Sequence, residues 1–172
     1  VAVVDADLGL EDGDPRAAER TFQLLTQVTG RAGRVEAGGR AFLQTHAPDH
    51  PVIRAMAQGD VEAFYAEEAE VRREGGLPPY QRLAAVIVSA TDKAEAHAHA
   101  AALARTAPGG EVEVLGPAEA PLSVLRGRHR YRLLVRAPRT VPLQEIMAEW
   151  IEGVPVDGTV RRAVDIDPHS FL

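Results

Sequence analysis

The chain has 172 residues, no cysteine, and 19 basic against 25 acidic side chains, a formal charge of −6. This length allows one large domain or two small ones, with enough chain to bury a real core. The missing cysteine excludes a disulfide scaffold and any thiolate metal site. No apolar run approaches the roughly 20 residues of a membrane helix, and the opening Val-Ala-Val-Val is too short for a signal peptide, so no membrane partner and a cytoplasmic location are expected.

Val1 to Val4 reads as a buried strand reaching a loop at Asp5-Ala6-Asp7. Asp14 and Pro15 suit the N-cap and first position of a helix that aligns Ala18, Phe22, Leu25 and Val28 and stops at Gly30. A glycine-arginine loop, Gly30-Arg31-Ala32-Gly33-Arg34, follows, then a strand over 40–45. With no initiator Met and a start in mid-strand, the chain is expected to be a fragment, and residues 1–45 the edge of an α/β domain. Pro51 opens a short helix ending near Gly59. Asp60 caps another that places Val61, Phe64, Tyr65 and Ala69 on one face. Gly75-Gly76-Leu77-Pro78-Pro79 ends it and marks the domain boundary.

Beyond the boundary the elements are compact. Leu83 to Ser89 is a strand. A helix capped by Thr91 or Asp92 runs to about Arg105. Val112 to Leu115 is a strand ending at Gly116-Pro117. Arg130 to Arg136 alternates, with Tyr131, Leu133 and Val135 on one side and Arg130, Arg132, Leu134 and Arg136 on the other. Leu143 to Ile151 is a helix that buries Ile146, Met147, Trp150 and Ile151, and Val160 to Ile166 is the last strand. The expected order is βαββαβ, the ferredoxin-like arrangement.

Charge is uneven. Residues 1–40 carry −2, residues 41–77 carry −4, and residues 78–172 are neutral; within the last block, residues 120–139 hold six arginines and no acid. A local cluster of this kind steers phosphate more than the total charge does. Arg126, Arg128, Arg130, Arg132 and Arg136 are therefore the candidate DNA-binding residues, with a solvated strand face as the bland alternative. Only one of the 19 basic residues is lysine, so arginine richness by itself argues little.

The second motif is Gln27-Val28-Thr29-Gly30-Arg31-Ala32-Gly33-Arg34. Its glycines let backbone approach a ligand, and two guanidinium forks match phosphate oxygens. A surface turn that happens to hold two arginines is the alternative. Other pairs are weaker. Asp5 with Asp7, and Asp165 with Asp167, lie at strand ends and more often solvate them. His97 and His99 fall on different helix faces, and Pro48 interrupts His46 and His50. No metal site is expected in this chain.

Gln-x-x-Gly-Arg-x-Gly-Arg resembles the last motif of the superfamily 2 helicases. Asp5-Ala6-Asp7, Asp14-Pro15-Arg16-Ala17, the run Glu19 to Gln27, and Leu43-Gln44-Thr45-His46 resemble in particular the family of primosomal protein N′ (replication factor Y). His50-Pro51, Leu77 to Tyr80, Leu115 to Ala118, Arg126-Gly127, Tyr131-Arg132 and Asp165 to Pro168 continue the resemblance. It implies an ATP-dependent 3′–5′ DNA helicase for replication restart and primosome assembly at stalled forks. Residues 1–45 would be the C-terminal edge of the second RecA-like lobe, 46–77 a helical connector, and 78–172 a ferredoxin-like domain holding branched DNA.

On that resemblance Arg34 is the arginine finger, Arg31 binds the ATP γ-phosphate or braces the loop, and Gln27 positions it. ATP and magnesium belong to the intact protein and zinc to a cysteine-rich insertion absent here, so the fragment alone is expected to be inactive. Branched and single-stranded DNA, single-stranded-DNA-binding protein and other primosome proteins are the implied partners. A non-enzymatic ferredoxin-like docking module is the alternative.

Overall fold

The computed structural model describes residues 1–10, 14–32 and 39–168. The chain is mixed α/β and divides into two compact units, Val1–Val71 and Arg72–Leu172.

In the first unit, β1 (Ala2–Val3) pairs parallel with β2 (Phe42–Leu43). The strand expected over 40–45 is only two residues long. Beyond it the chain is held by Asp7, whose carboxylate accepts the Thr45 hydroxyl at 2.5 Å and the His46 N–H at 2.6 Å. Helix α1 (Ala17–Gly30) starts later than Asp14-Pro15 suggests. Asp14 accepts the Arg16 N–H at 2.8 Å and pairs with Arg20 at 2.9 Å, so it organises a turn ahead of the helix. Helix α2 (Pro51–Gln58) has Pro51 at its start, His50 Nδ1 accepting the Val52 N–H, and Gly59 at φ 69° ending it, a conformation glycine adopts without strain. Asp60 accepts the Ala63 N–H at 2.9 Å and opens α3 (Val61–Glu74). The core of this unit comprises Ala6, Phe22, Leu25, Val52, Ile53, Ala55 and Phe64, with Phe22 stacked on Phe64 at 4.1 Å. The expected apolar face of α3 narrows to Phe64, because Val61 and Tyr65 are 46% and 43% exposed.

The second unit has the order β3 (Gln81–Ala90), α4 (Lys93–Arg105), β4 (Glu113–Leu125), β5 (Arg128–Pro138), α5 (Leu143–Glu152), β6 (Arg161–Ile166), which is the βαββαβ order expected from the sequence. The strands form one sheet in the order β4-β5-β3-β6, every pair antiparallel. Strand β4 is longer than Val112–Leu115. Register shifts between Leu115 and Ala118 absorb Gly116-Pro117, and on an edge strand the missing proline N–H interrupts no ladder. Asp92 caps α4 by accepting the Glu95 N–H at 2.9 Å.

Strand alternation decides the layers. Ala84, Val86 and Val88 of β3 and Tyr131, Leu133 and Val135 of β5 join Ala96, Ala100 and Leu103 of α4 and Leu143, Met147 and Trp150 of α5 in one core. Both helices therefore cover the same sheet face. Trp150 ties them together by donating its indole N–H to the Leu103 carbonyl at 3.1 Å. On β6, Arg162 lies on the helix side and donates to the carbonyls of Ile151 and Val154 at 2.6 and 2.7 Å, satisfying acceptors at the end of α5. On the opposite sheet face the cluster buried among the described residues is small, Leu83 and Ala85 against Leu77 and Leu134.

Candidate nucleic-acid interface

The same alternation puts Arg128, Arg130, Arg132 and Arg136 of β5 on the face without helices, beside Ile87 and Ser89 of β3. Tyr131 is buried on the other face, with its ring 5.1 Å from that of His97, and is not available for stacking on a base. The register adds a residue that the sequence reading passed over. Arg161 of β6 stands opposite Ser89, two residues from the exposed Ala163. Its signal was present in Arg161-Ala163-Asp165, an alternation that needs the β3–β6 pairing before a face can be assigned.

The arginines are not equivalent. Arg128 donates to the carbonyls of Ser89 at 2.8 Å and Thr159 at 2.5 Å and to the Ser89 hydroxyl at 3.3 Å. Thr159 is itself fixed, with its N–H and hydroxyl bound to Glu95 and its Oγ1 accepting the Thr91 N–H. Arg136 pairs with Glu113 at 2.5 Å and donates to the Gly75 carbonyl at 2.7 Å. Arg130 gives one bond to the Leu122 carbonyl at 3.2 Å, which leaves most of its five donors. Arg126 lies in the turn joining β4 to β5, at φ 51° with Gly127 at φ 73°, and is exposed. Arg126, Arg128, Arg130 and Arg161 line one pocket of about 370 Å³ with Ile87, Leu125 and Ala163. Arg132 and Arg136 lie outside it.

The other candidates fall elsewhere. Gln27 is exposed on α1, and Arg31 follows that helix, also exposed. Gly33 and Arg34 lie outside the described residues. Asp5 accepts the Asp7 N–H at 3.1 Å. The His46 N–H, then the Thr45 hydroxyl, hold the Asp7 carboxyl below the ordinary range, so this pair fastens a strand end. Asp167 pairs with Arg82 at 2.6 Å. Burial lowers the His99 pKa. Among the described residues no three His, Cys, Asp or Glu side chains cluster as a metal site, and no helix is long and apolar enough to cross a membrane.

The second unit thus defines an α/β domain with one sheet face under helices and the other carrying arginines. Residues 73–169 match the model of the primosomal protein N C-terminal domain, so the chain belongs to that family. Over 99% of its length it is 40% identical to a protein named replication restart protein PriA from Rickettsia felis, of which it covers 26%. Proteins of the same name from Bacillus subtilis and Haemophilus influenzae are 38% and 34% identical over 100% and 99% of the chain, which covers 22% and 24% of them. The chain spans about a quarter of the length of these relatives.

Proposed function

We propose that this chain is the DNA-holding end of an ATP-driven 3′–5′ helicase that restarts replication at stalled forks. The observation that carries the reading is the helix-free sheet face with its arginine pocket, on a chain whose total charge is −6. Name and similarity of the relatives support the process, and the βαββαβ order supports a ferredoxin-like domain. Phosphate contacts of this type hold a backbone without reading bases. Residues 1–45 are read as the edge of the second motor lobe and 46–77 as a connector. Gln27, Arg31 and Arg34 then face ATP and magnesium held by a lobe this chain does not contain, with Arg34 as the arginine finger, a role worth roughly 10³–10⁵ in rate. Zinc held by thiolates would be supplied by other residues, since this chain has no cysteine. Single-stranded-DNA-binding protein and primosome proteins are the partners that go with this role.

The test is fluorescence anisotropy of the 172-residue chain on a labelled fork. With about four phosphate contacts, affinity falls roughly 50-fold between 50 and 200 mM salt if they lie on the single strand and roughly 150-fold if they lie on a duplex arm. Equal affinity at both salts overturns the reading. The chain alone shows no DNA-stimulated ATP hydrolysis, and turnover by the purified chain overturns the division of roles. In a full-length PriA protein carrying this segment, Arg34→Ala abolishes hydrolysis and leaves DNA affinity in place; normal hydrolysis removes Arg34 from the finger role.

A non-enzymatic protein-docking module is the rival reading, favoured by Leu122, Val124 and Leu125, each about half exposed on β4. The fork titration decides, because docking through these residues predicts no DNA affinity.

A further inference from the structure

The pocket between the β4–β5 turn and the ends of β3 and β6 has a chemistry more specific than a basic face. Five of its lining residues are arginine and none is acidic. Two of the five are already committed: Arg128 to the carbonyls of Ser89 and Thr159, and Arg162 to those of Ile151 and Val154. Arg128 fixes a wall and adds positive potential, while the Arg162 side chain serves the helix side of the sheet. Arg126 and Arg161 are exposed and have no side-chain partner among the described residues, and Arg130 has donors to spare.

The position of Arg126 is an independent observation. Two positive-φ residues in a two-residue hairpin turn favour Asn-Gly or Asp-Gly. Here the first is an arginine at φ 51°, a conformation that is uncommon for a residue of this size. Backbone strain of this kind clusters where a side chain has a task. Arg126 is among the residues that line the pocket.

The remaining lining is Ile87, Leu125 and Ala163 together with Ser89, whose hydroxyl accepts from Arg128. A bare phosphate needs no contact with Ile87, Leu125 and Ala163, and an apolar ligand has no use for the guanidinium groups of Arg126, Arg128, Arg130 and Arg161. The volume of about 370 Å³ lies in the range of small-ligand sites. We propose that this pocket seats one nucleotide unit of single-stranded DNA, with its base and sugar against Ile87, Leu125 and Ala163 and its flanking phosphates on Arg126, Arg130 and Arg161. The inference rests on the DNA-holding reading above and deepens it. No carboxylate or amide side chain lines the pocket, so seating is indifferent to base identity. Arg128 is a positioning residue here.

The experiment uses the whole 172-residue chain and fluorescein-labelled oligo(dT)12. Arg161→Ala weakens binding at least 5-fold and makes the salt dependence shallower by about 0.7 in slope, the contribution of one single-strand phosphate contact. Ala163→Phe fills the pocket while leaving every arginine; residue 163 is exposed and on an edge strand, where Phe is accepted. It weakens binding at least 5-fold with little change in slope. Leu125→Ser, a second variant on the apolar wall, weakens binding about 3-fold. Arg105→Ala, on the exposed side of α4, binds as wild type. If Ala163→Phe and Leu125→Ser both bind normally while Arg161→Ala is weak, the phosphate-binding face stands and the nucleotide seat falls. If wild type fails to bind oligo(dT)12 at low salt, both fall. Competition by poly-glutamate as effective as that by unlabelled oligo(dT)12, at equal charge, also overturns the nucleotide assignment.

Discussion

The two units bury apolar surface differently. The second closes 18 buried side chains around one sheet face and two helices. Among the described residues, the core cluster of the first has seven buried side chains, and Val4, Leu8, Leu24 and Phe42 are each more than half exposed. Its two strands are parallel, an arrangement that ordinarily stands inside a larger sheet covered on both faces. Short-range signals such as caps and turn glycines can build helices in either unit, but a complete core needs enough strands to share it. The second unit has them, and its open face is consequently free for arginines.

Substitutions in both units make that contrast measurable. The largest effect is expected for Phe64→Ala. Phe64 is 2% exposed and stacked on Phe22, and its truncation should cost about 3–5 kcal/mol. In a cluster of seven described residues that should release α1 and α2, read as faster amide hydrogen exchange in both helices. Unchanged protection would mean that the first unit is held by something other than its stacked rings.

The second unit should respond through its backbone. Gly116 has φ 110°, and a Cβ placed on it would lie 2.8 Å from the Arg132 carbonyl oxygen, on the backbone of β5. Gly116→Ala should therefore destabilise by about 1–3 kcal/mol, read as a lower urea midpoint of Trp150 fluorescence. A midpoint equal to wild type would show that the β4–β5 ladder yields at its bulge.

The smallest effect is electrostatic and returns to the first unit. The His46 N–H and the Thr45 hydroxyl favour the charged form of Asp7 and lower its pKa. A lowered carboxylate contributes stability above its unfolded value, about 3.9, and loses it as pH falls through the folded value. Asp7→Asn should melt below wild type at pH 7, and the gap should close in acid below about pH 3.9. A gap independent of pH would assign the effect to shape rather than charge.

Much of the second unit could be read locally. Basic and apolar residues alternate through β5, Asp92 announces α4, and the apolar positions of α5 lie at helical spacing. Strand β4 could not be read through Gly116-Pro117, because only its pairing with β5 shows that the chain bulges and continues. The functional face divides in the same way. Which arginines face outward follows from period two, but which are spoken for depends on distant partners. Arg128 finds Ser89 and Thr159, 39 and 31 residues away, and Arg136 finds Gly75, 61 residues away. Arg161 joins the pocket only once β6 is laid beside β3. Gln27 and Arg31 are on α1 and just after it, as expected, while Arg34 lies beyond the described residues.

The clamp made by Arg128 has a practical corollary. Its acceptors include two main-chain carbonyls and a hydroxyl, with no carboxylate among them, whereas Arg136 leans on Glu113. Added electrolyte screens pairs of opposite charge and has far less hold on a bond to a neutral carbonyl. The frame around Arg126 and Arg161 should thus keep its shape across an ionic-strength series. Whatever affinity disappears in such a series then measures counterions returning to the nucleic acid, with no contribution from a receptor that has itself come apart.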